Sequence, residues 1–354
     1  METTDPQRIE DLAQFEQRKR DHIALSLSPE NEAKGWSGLS HIELIHEALP
    51  DLNFSEVTIS QVWLGETRPT PFFVSSMTAG HYDSLNLNQI LAHACADRGW
   101  VMGVGSQRRE LGDSEAAKEW RSVRKAAPKA RLLGNLGLAQ LIHTPTSQVA
   151  KLSESLDASA MIIHLNPLQE CLQPEGTPEF RGGLTAIERL CNELEIPVVV
   201  KETGCGFSKS TLRRLSGIGV AAVDISGLGG THWGRIEGQR SSTDSIQFEA
   251  AKTFSNWGVT TTQSVLNAVS VDPDFEIWAS GGVRSGLDAA KLLAMGACAV
   301  GFAKPILEAA LKGEDSLQNA MATIEYELKT ALFCTGSNAV HNLHARKLWQ
   351  QRQM

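Results

Sequence analysis

Eight short apolar runs recur between residues 70 and 305, and this repetition limits the possible folds more than any other feature of the chain. They are Pro71 to Met77 (PFFVSSM), Trp100 to Ser106 (WVMGVGS), Arg131 to Gly137 (RLLGNLG), Ala160 to Asn166 (AMIIHLN), Pro197 to Thr203 (PVVVKET), Ala221 to Gly227 (AAVDISG), Glu276 to Gly282 (EIWASGG) and Cys298 to Lys304 (CAVGFAK). Most are continuous rather than alternating in polarity, as expected of strands covered on both faces. The gaps hold helix-compatible stretches such as Ser147 to Leu156, Leu184 to Leu194 and Gly286 to Met295. Strand and helix alternating eight times predict an α/β protein of the (β/α)₈ TIM barrel class. An open doubly wound sheet would present similar strands, but eight regular units suit closure, because eight strands enclose an interior that side chains can fill.

Two segments depart from the repeat. Residues 1–70 form an N-terminal extension, with a helix expected at Ser40 to Ala48 and a strand at Val57 to Leu64 capping the barrel bottom. The expected organisation is this extension, contributing to the substrate site and the barrel bottom, followed by one catalytic barrel over residues 71–354. The second departure is Leu228 to Phe275, between strands six and seven, which is nearly twice the usual unit and reads as a long functional loop or lid.

The 354 residues carry 33 Lys plus Arg against 41 Asp plus Glu, a net charge of −8, which argues against tracking a nucleic-acid backbone. With no apolar signal core and no run of about 18 apolar residues, neither secretion nor membrane spanning is indicated, and the cytoplasm is the default. Six cysteines without a Cys-x-x-Cys pair read as reduced thiols.

In a (β/α)₈ barrel the chemistry lies at the C-terminal ends of the strands. Those ends supply Ser106 to Arg109, Asn135, His164, Asn166, Gln169, Glu170, Lys201, Glu202, Ser226 to Thr231, Gly281 to Arg284, Ala303 and Lys304. Paired glycines, Arg284 and a helix starting near Gly286 make a candidate phosphate cradle of backbone N–H groups and a helix N-terminus. Arg284 adds a charge with no structural need visible in the sequence. The chain has no Gly-Lys dipeptide for a Walker A loop, and GVGSQR and GCGFSK each lack the third glycine of a Rossmann fingerprint. Glu170 is open to three readings: general base, Mg²⁺ ligand completed by substrate phosphates, or helix N-terminal charge. His164 reads as a core histidine or a catalyst. Lys201 and Glu202, as strand neighbours, must face opposite ways, so Lys201 either meets an anion at the barrel mouth or pairs with Glu170 or Asp224. Arg18, Lys19, Arg20 and His22 form either a solvated helix face or an anion-binding arm over the mouth.

Taken together, these motifs resemble the type II isopentenyl-diphosphate isomerases, flavin-dependent (β/α)₈ enzymes. The marks are Arg18-Lys19-x-x-His22, Ser76-Met77-Thr78-Ala79-Gly80, Gly105-Ser106-Gln107-Arg108, Asn135-Leu136-Gly137, His164-x-Asn166-x-x-Gln169-Glu170, Lys201-Glu202-x-Gly204-x-Gly206, Gly229-Gly230-Thr231 and Ser280-Gly281-Gly282-x-Arg284. The resemblance implies FMN held by Ser76, Met77, Thr78, Ala79, Ser106, Asn135, Lys201, Ser226, Thr231, Gly282, Val283, Arg284, Ala303 and Lys304. It implies isopentenyl diphosphate held by Arg18, Lys19, Ser106, Gln107, Arg108 and Gln169, with Mg²⁺ on Glu170. Gln169, His164 and Lys201 are the implied catalytic residues, and Trp233 is a candidate for stabilising cationic character at C3. Ala79 replaces the more usual glycine of Met-Thr-Gly-Gly.

The implied reaction adds a proton at C4 and removes one at C2, with reduced FMN as acid and base and NADPH as its reductant, in isoprenoid biosynthesis. The resemblance also implies a homo-oligomer, tetramer or octamer, with a small diphosphate substrate and neither nucleic-acid nor membrane partners. The alternative is an FMN oxidoreductase of the 2-hydroxyacid-oxidase type. That chemistry would want a His base beside an Arg that clamps a carboxylate.

Overall fold

The computed structural model describes residues 12–77, 85–113 and 115–352, so the candidate flavin contacts Thr78 and Ala79 lie outside the described residues. The eight runs form eight parallel strands, numbered here in chain order: β1 Phe72–Val74, β2 Val101–Gly103, β3 Arg131–Gly137, β4 Ala160–Leu165, β5 Val198–Glu202, β6 Ala222–Asp224, β7 Glu276–Ala279 and β8 Ala299–Phe302. They close in sequence order, with β8 paired back onto β1 through Val300 and Phe72.

The two-residue period of a strand divides each run between floor and mouth. Phe73, Val101, Leu133, Ile162, Val199, Ala222, Trp278 and Ala299 belong to one fully or nearly buried apolar cluster that fills the barrel interior. Two residues further along β3 to β7, the same side of the strand carries Asn135, His164, Lys201, Asp224 and, just past β7, Ser280. Apolar packing thus ends at one level and a polar layer begins at the next. The outward residues, such as Leu132, Leu136, Ile163 and Val200, pack under the surrounding helices.

The N-terminal extension departs from expectation in one place and refines it in another. Ser40 to Ala48 is not a helix: a 3₁₀ turn, Leu39–His41, leads into a strand, Ile42–Leu44, that pairs antiparallel with Trp349–Gln351. Pairing with a segment at the far end of the chain overrides the local propensity. The expected bottom strand is shorter than Val57 to Leu64. Gln61–Trp63 forms a hairpin with Glu66–Arg68 and inserts Trp63 into the barrel floor. There Trp63 stands edge-on to Trp278 at 5.0 Å between centroids and donates its indole N–H to the Thr70 carbonyl at 3.2 Å. Alanines at Ala160, Ala222 and Ala299 leave room for the two indoles.

The long connection between β6 and β7 is present but is not an open loop, since it holds the helices Trp233–Arg240, Ile246–Thr253 and Thr261–Val271. A further helix, α1, Leu12–Leu27, reaches the mouth from the N-terminal side. Among the described residues no helix is long and apolar enough to cross a membrane.

Candidate active site

A cavity of about 460 Å³ opens at the C-terminal ends of the strands. Its base is the polar layer above the apolar floor. Lys201 is paired with Asp224 and donates to Ser280 Oγ at 3.2 Å, while Ser280 Oγ donates to Asp224 at 2.7 Å. The ion pair and the cavity-facing position, alternatives from sequence, are both realised, because Lys201 also lines the cavity. Glu202 faces the other way and accepts backbone N–H groups of Gly204, Cys205 and Gly206. Burial raises its pKa to about 7.

His164 lies against the carbonyl oxygen of the Asn135 amide, 2.9 Å from its Nδ1, and Asn135 is itself fixed by donating to the Val104 carbonyl at 3.0 Å. That contact assigns the ring proton to Nδ1 and leaves Nε2 as an acceptor. Burial, reinforced by Lys19 and Lys201, lowers the His164 pKa to about 3, so the ring is neutral at neutral pH.

On the β4 side, Asn166 precedes the short helix Pro167–Leu172, which carries Gln169 and Glu170. Glu170 accepts from Asn166 Nδ2 at 3.0 Å and from the Thr177 backbone N–H at 2.6 Å. Gln169 donates its amide to Glu237 at 2.7 Å. Sequence reasoning missed Glu237. It lies on the Trp233–Arg240 helix, fully buried, accepts from Arg240 at 2.6 Å, and has His22 Nε2 at 2.9 Å. Burial alone would raise its pKa, but His22, Arg240 and Gln169 outweigh that and hold it at about 2. The available signal was its position four residues after Trp233, on the same helix face. Trp233 lines the cavity and meets the His22 ring edge-on at 5.0 Å.

Helix α1 brings Arg18 and Lys19 to the cavity as an arm over the mouth, on the same helix as His22. Phe15, also unforeseen, sits against Arg18, Lys19 and Arg109, whose cationic atoms lie 5.4–5.7 Å from its ring centroid. Ser106 and Arg108 join the lining. Gln107, expected to touch the substrate, is not part of the cavity lining. It is buried, accepts the Asn135 N–H at 3.0 Å and donates to Glu110 and the Leu152 carbonyl at 2.9 Å each, so its hydrogen-bonding capacity is spent on the scaffold.

The glycine cradle is backbone packed on backbone. Gly282 has φ +72°, and a Cβ there would lie 2.3 Å from the Gly229 carbonyl oxygen; one on Gly230 would lie 2.7 Å from the Gly282 nitrogen. Only glycine permits both the left-handed turn and this approach. Ser226, at the end of β6, also has a positive φ of 28°, a strained position in the lining. Thr231, Val283, Ala303 and Lys304 complete this side. Arg284, whose charge has no visible structural need in the sequence, has one in the fold: it donates to the carbonyls of Gly282 at 2.7 Å and Gly229 at 3.0 Å and pairs with Glu32 at 3.0 Å.

The donor set fits a flavin mononucleotide. The buried hydroxyls of Ser75 and Ser76 and the Asn166 carbonyl oxygen have no protein partner and face a cavity with a glycine cradle and two cations at one end. A divalent cation is a different case. Among the described residues no group of three or more acidic, His or Cys side chains is arranged for one, so Glu170 could hold Mg²⁺ only with substrate oxygens and water completing the shell.

Comparison with known proteins agrees with this geometry. Residues 119–350 match the profile of the FMN-dependent dehydrogenase family. Among solved structures, a mutant flavocytochrome b2 with benzoylformate aligns over 96% of this chain and 84% of its own, with TM-score 0.68 and 19% identity. A mutant mandelate oxidase with an FMN adduct aligns over 98% and 100%, with TM-score 0.63 and 17% identity. The fold and the profile thus place the molecule among the flavin-dependent barrels.

Sequence relatives narrow this class. An isopentenyl-diphosphate delta-isomerase of Legionella pneumophila (strain Corby) is 56% identical over 94% of this chain and 97% of its own. The enzymes of that name from Bdellovibrio bacteriovorus and Halobacterium salinarum are 54% and 41% identical, covering 96% and 94% of this chain and 99% and 93% of their own. The chain belongs to the FMN-dependent dehydrogenase family and, within it, to the type II isopentenyl-diphosphate delta-isomerases.

Proposed function

We propose that this enzyme interconverts isopentenyl and dimethylallyl diphosphate by a 1,3-allylic proton shift, with FMN kept reduced by NADPH and Mg²⁺ carried on the diphosphate. The observation that carries the reading is the facing arrangement of Arg18 and Lys19 on α1, Gln169 and Glu170 beyond β4, and Lys201 at the base of one cavity. The reaction moves one proton onto C4 and takes one from C2, with no net oxidation. An unactivated alkene is too weak a base for ordinary side chains near neutral pH, and reduced FMN, when bound, supplies the acid–base chemistry they lack.

The chain's own residues do the rest. Ser76, Met77, Ser106, Asn135, Ser226, Thr231, Gly282 to Arg284, Ala303 and Lys304 would hold the cofactor, and Lys201 would offer it an ammonium group from the base of the cavity. Arg18, Lys19 and Arg108 would neutralise the diphosphate, and Glu170 would offer one carboxylate to a divalent cation bound together with it. Gln169, fixed by Glu237, and neutral His164, fixed by Asn135, position the alkene. Trp233 supplies an aromatic face suited to positive charge at C3. The substrate is a small diphosphate, and the working form is a homo-oligomer.

The test is anaerobic incubation with FMN, Mg²⁺, NADPH and isopentenyl diphosphate, following dimethylallyl diphosphate and NADPH together. Product far exceeding NADPH consumed is the expected outcome. A bound, reducible flavin without product would overturn the reading. Glu170→Ala should keep the yellow FMN-loaded protein and lose Mg²⁺-dependent substrate binding.

A further inference from the structure

An acid stands where the cofactor phosphate is expected. Glu32, from the N-terminal extension, bridges Arg284 at 3.0 Å and Lys304, the two side-chain cations at the cradle. Its carboxylate is mostly buried and lines the same cavity. Burial works against its ionisation, but the bonds to Lys304 and Arg284 outweigh burial and keep its pKa below the usual carboxylate value. The main chain beneath it is pinned. Ala33 donates to the Gly230 carbonyl at 2.8 Å, the Glu32 backbone forms an antiparallel bridge with Thr231, and Arg235 donates to the Glu32 carbonyl at 2.8 Å. The carboxylate can therefore leave the cations by side-chain rotation alone, with the backbone in place.

We infer that Glu32 is an internal counter-ion competing with the FMN phosphate for Arg284 and Lys304. Loading then exchanges a carboxylate for a phosphate rather than filling a bare cationic site. This rests on the reading of the cradle as the FMN phosphate site. Two consequences follow from charge alone. Before loading, the site carries little uncompensated positive charge, which limits capture of stray anions. Cofactor affinity is set below what the two cations would otherwise give, because a dianionic phosphate meets a carboxylate close by.

Lys304 has a second acid within reach, Glu308 at 3.9 Å, whereas Arg284 keeps only neutral carbonyls once Glu32 is neutralised. The gain on removing the charge should therefore be expressed mainly through Arg284.

The test is titration of deflavinated full-length protein with FMN and, separately, with riboflavin, which lacks the phosphate, following flavin fluorescence. Wild type, Glu32→Gln, Glu32→Ala, Arg284→Ala and Glu32→Gln/Arg284→Ala are compared, with a thermal melt of each. Glu32→Gln and Glu32→Ala are expected to tighten FMN binding about tenfold, leave riboflavin binding unchanged, and lose most of the gain in the double variant. Unchanged or weaker FMN binding in both Glu32 variants would overturn the inference, as would an equal change for riboflavin. The phosphate-site reading is checked separately: if Arg284→Ala weakens FMN and riboflavin alike, the cradle does not hold the phosphate, whatever Glu32 does.

Discussion

Replacing Glu237 by Gln should uncouple the positioning of Gln169 from cofactor binding. Glu237 is fully buried, accepts from Gln169 Nε2 at 2.7 Å and Arg240 Nη1 at 2.6 Å, and has His22 Nε2 beside it at 2.9 Å. A carboxylate accepts from Gln169 and Arg240 on separate oxygens and keeps an oxygen toward His22, whereas a glutamine has one oxygen and one NH₂. Whichever way the amide turns, an N–H faces either Arg240 or the Gln169–His22 pair. Arg240 retains Glu175 at 2.8 Å, so its charge is not stranded. The cost is then about 3 kcal/mol, between that of an unsatisfied buried polar group and that of a broken buried ion pair. Spread over an unfolding entropy of roughly 0.7 kcal/mol/K for a chain of this length, this lowers Tm by about 4 °C.

Gln169 loses its fixed orientation, and a displacement of about 1 Å at a positioning group costs roughly 10²-fold in kcat/KM. Glu237 does not line the cavity, so FMN affinity should stay within a factor of about two. The pH signature is separate. Since the folded pKa of about 2 lies below the ordinary value of 4.5, Glu237 contributes stability that is present above pH 4.5 and lost as pH falls toward 2. Glu237→Gln should flatten that part of the curve. The assay is steady-state turnover of isopentenyl diphosphate, with melts run from neutral into acid pH. Wild-type kcat/KM together with an unchanged melting curve would refute the reasoning.

Other perturbations separate scaffold from site. Trp63→Ala removes the indole that closes the barrel floor and should cost about 4 kcal/mol in chemical denaturation while FMN binding to the folded protein is retained. Gly282→Ala forces a methyl against the Gly229 carbonyl at a φ of +72° and should weaken FMN at least about tenfold with an unchanged far-UV spectrum; equal FMN affinity would contradict the cradle. His22 is buried with its pKa lowered from 6.5 to about 4, chiefly by desolvation, so the unfolded chain takes up the proton first and stability falls as pH drops from 6.5 to 4. His22→Gln should reduce that slope in pH-dependent melts, and a slope identical to wild type would rule out the assignment.

The barrel is legible in the sequence because its signal is local and repeated. β3 coincides with the run Arg131 to Gly137, and the helix Gly286–Met295 with the expected stretch, since apolar continuity and a Ser285 cap sit within a few residues of each element. Ser40 to Ala48 reads wrongly because the partner of Ile42–Leu44 lies at the other end of the chain. The site is legible where strand period fixes direction, as for Asn135, His164 and Lys201. It is not legible where a role depends on side chains distant in sequence. Gln107 carries a polar side chain at a strand end like its neighbours, yet its bonds run to Leu152 and Asn135. Arg284 reads as a spare charge because its acid, Glu32, is 252 residues away.

The helix after β6 explains why the extension and the barrel act as one site. Trp233–Arg240 presents Trp233 to the cavity and Glu237 to Gln169 and His22, while Arg235 reaches back to the carbonyls of Glu30 and Glu32 at 2.9 and 2.8 Å. Asn31 adds the reverse link: its carbonyl accepts the His232 N–H at 2.8 Å and its amide donates to Gln239 at 2.9 Å. The extension therefore meets this helix at two separate places, through the α1 residue His22 and through residues 30–32. The first lies beside Arg18 and Lys19 and the second beside the glycine cradle. A barrel of the flavin-oxidase type supplies the cofactor end from its own strand termini. Two further cations of the cavity, Arg18 and Lys19, come from outside the barrel repeat, on α1. The lengthened β6–β7 connection supplies the helix on which α1 rests, with His22 beside Glu237 at 2.9 Å and Asp21 beside Arg240 at 3.8 Å.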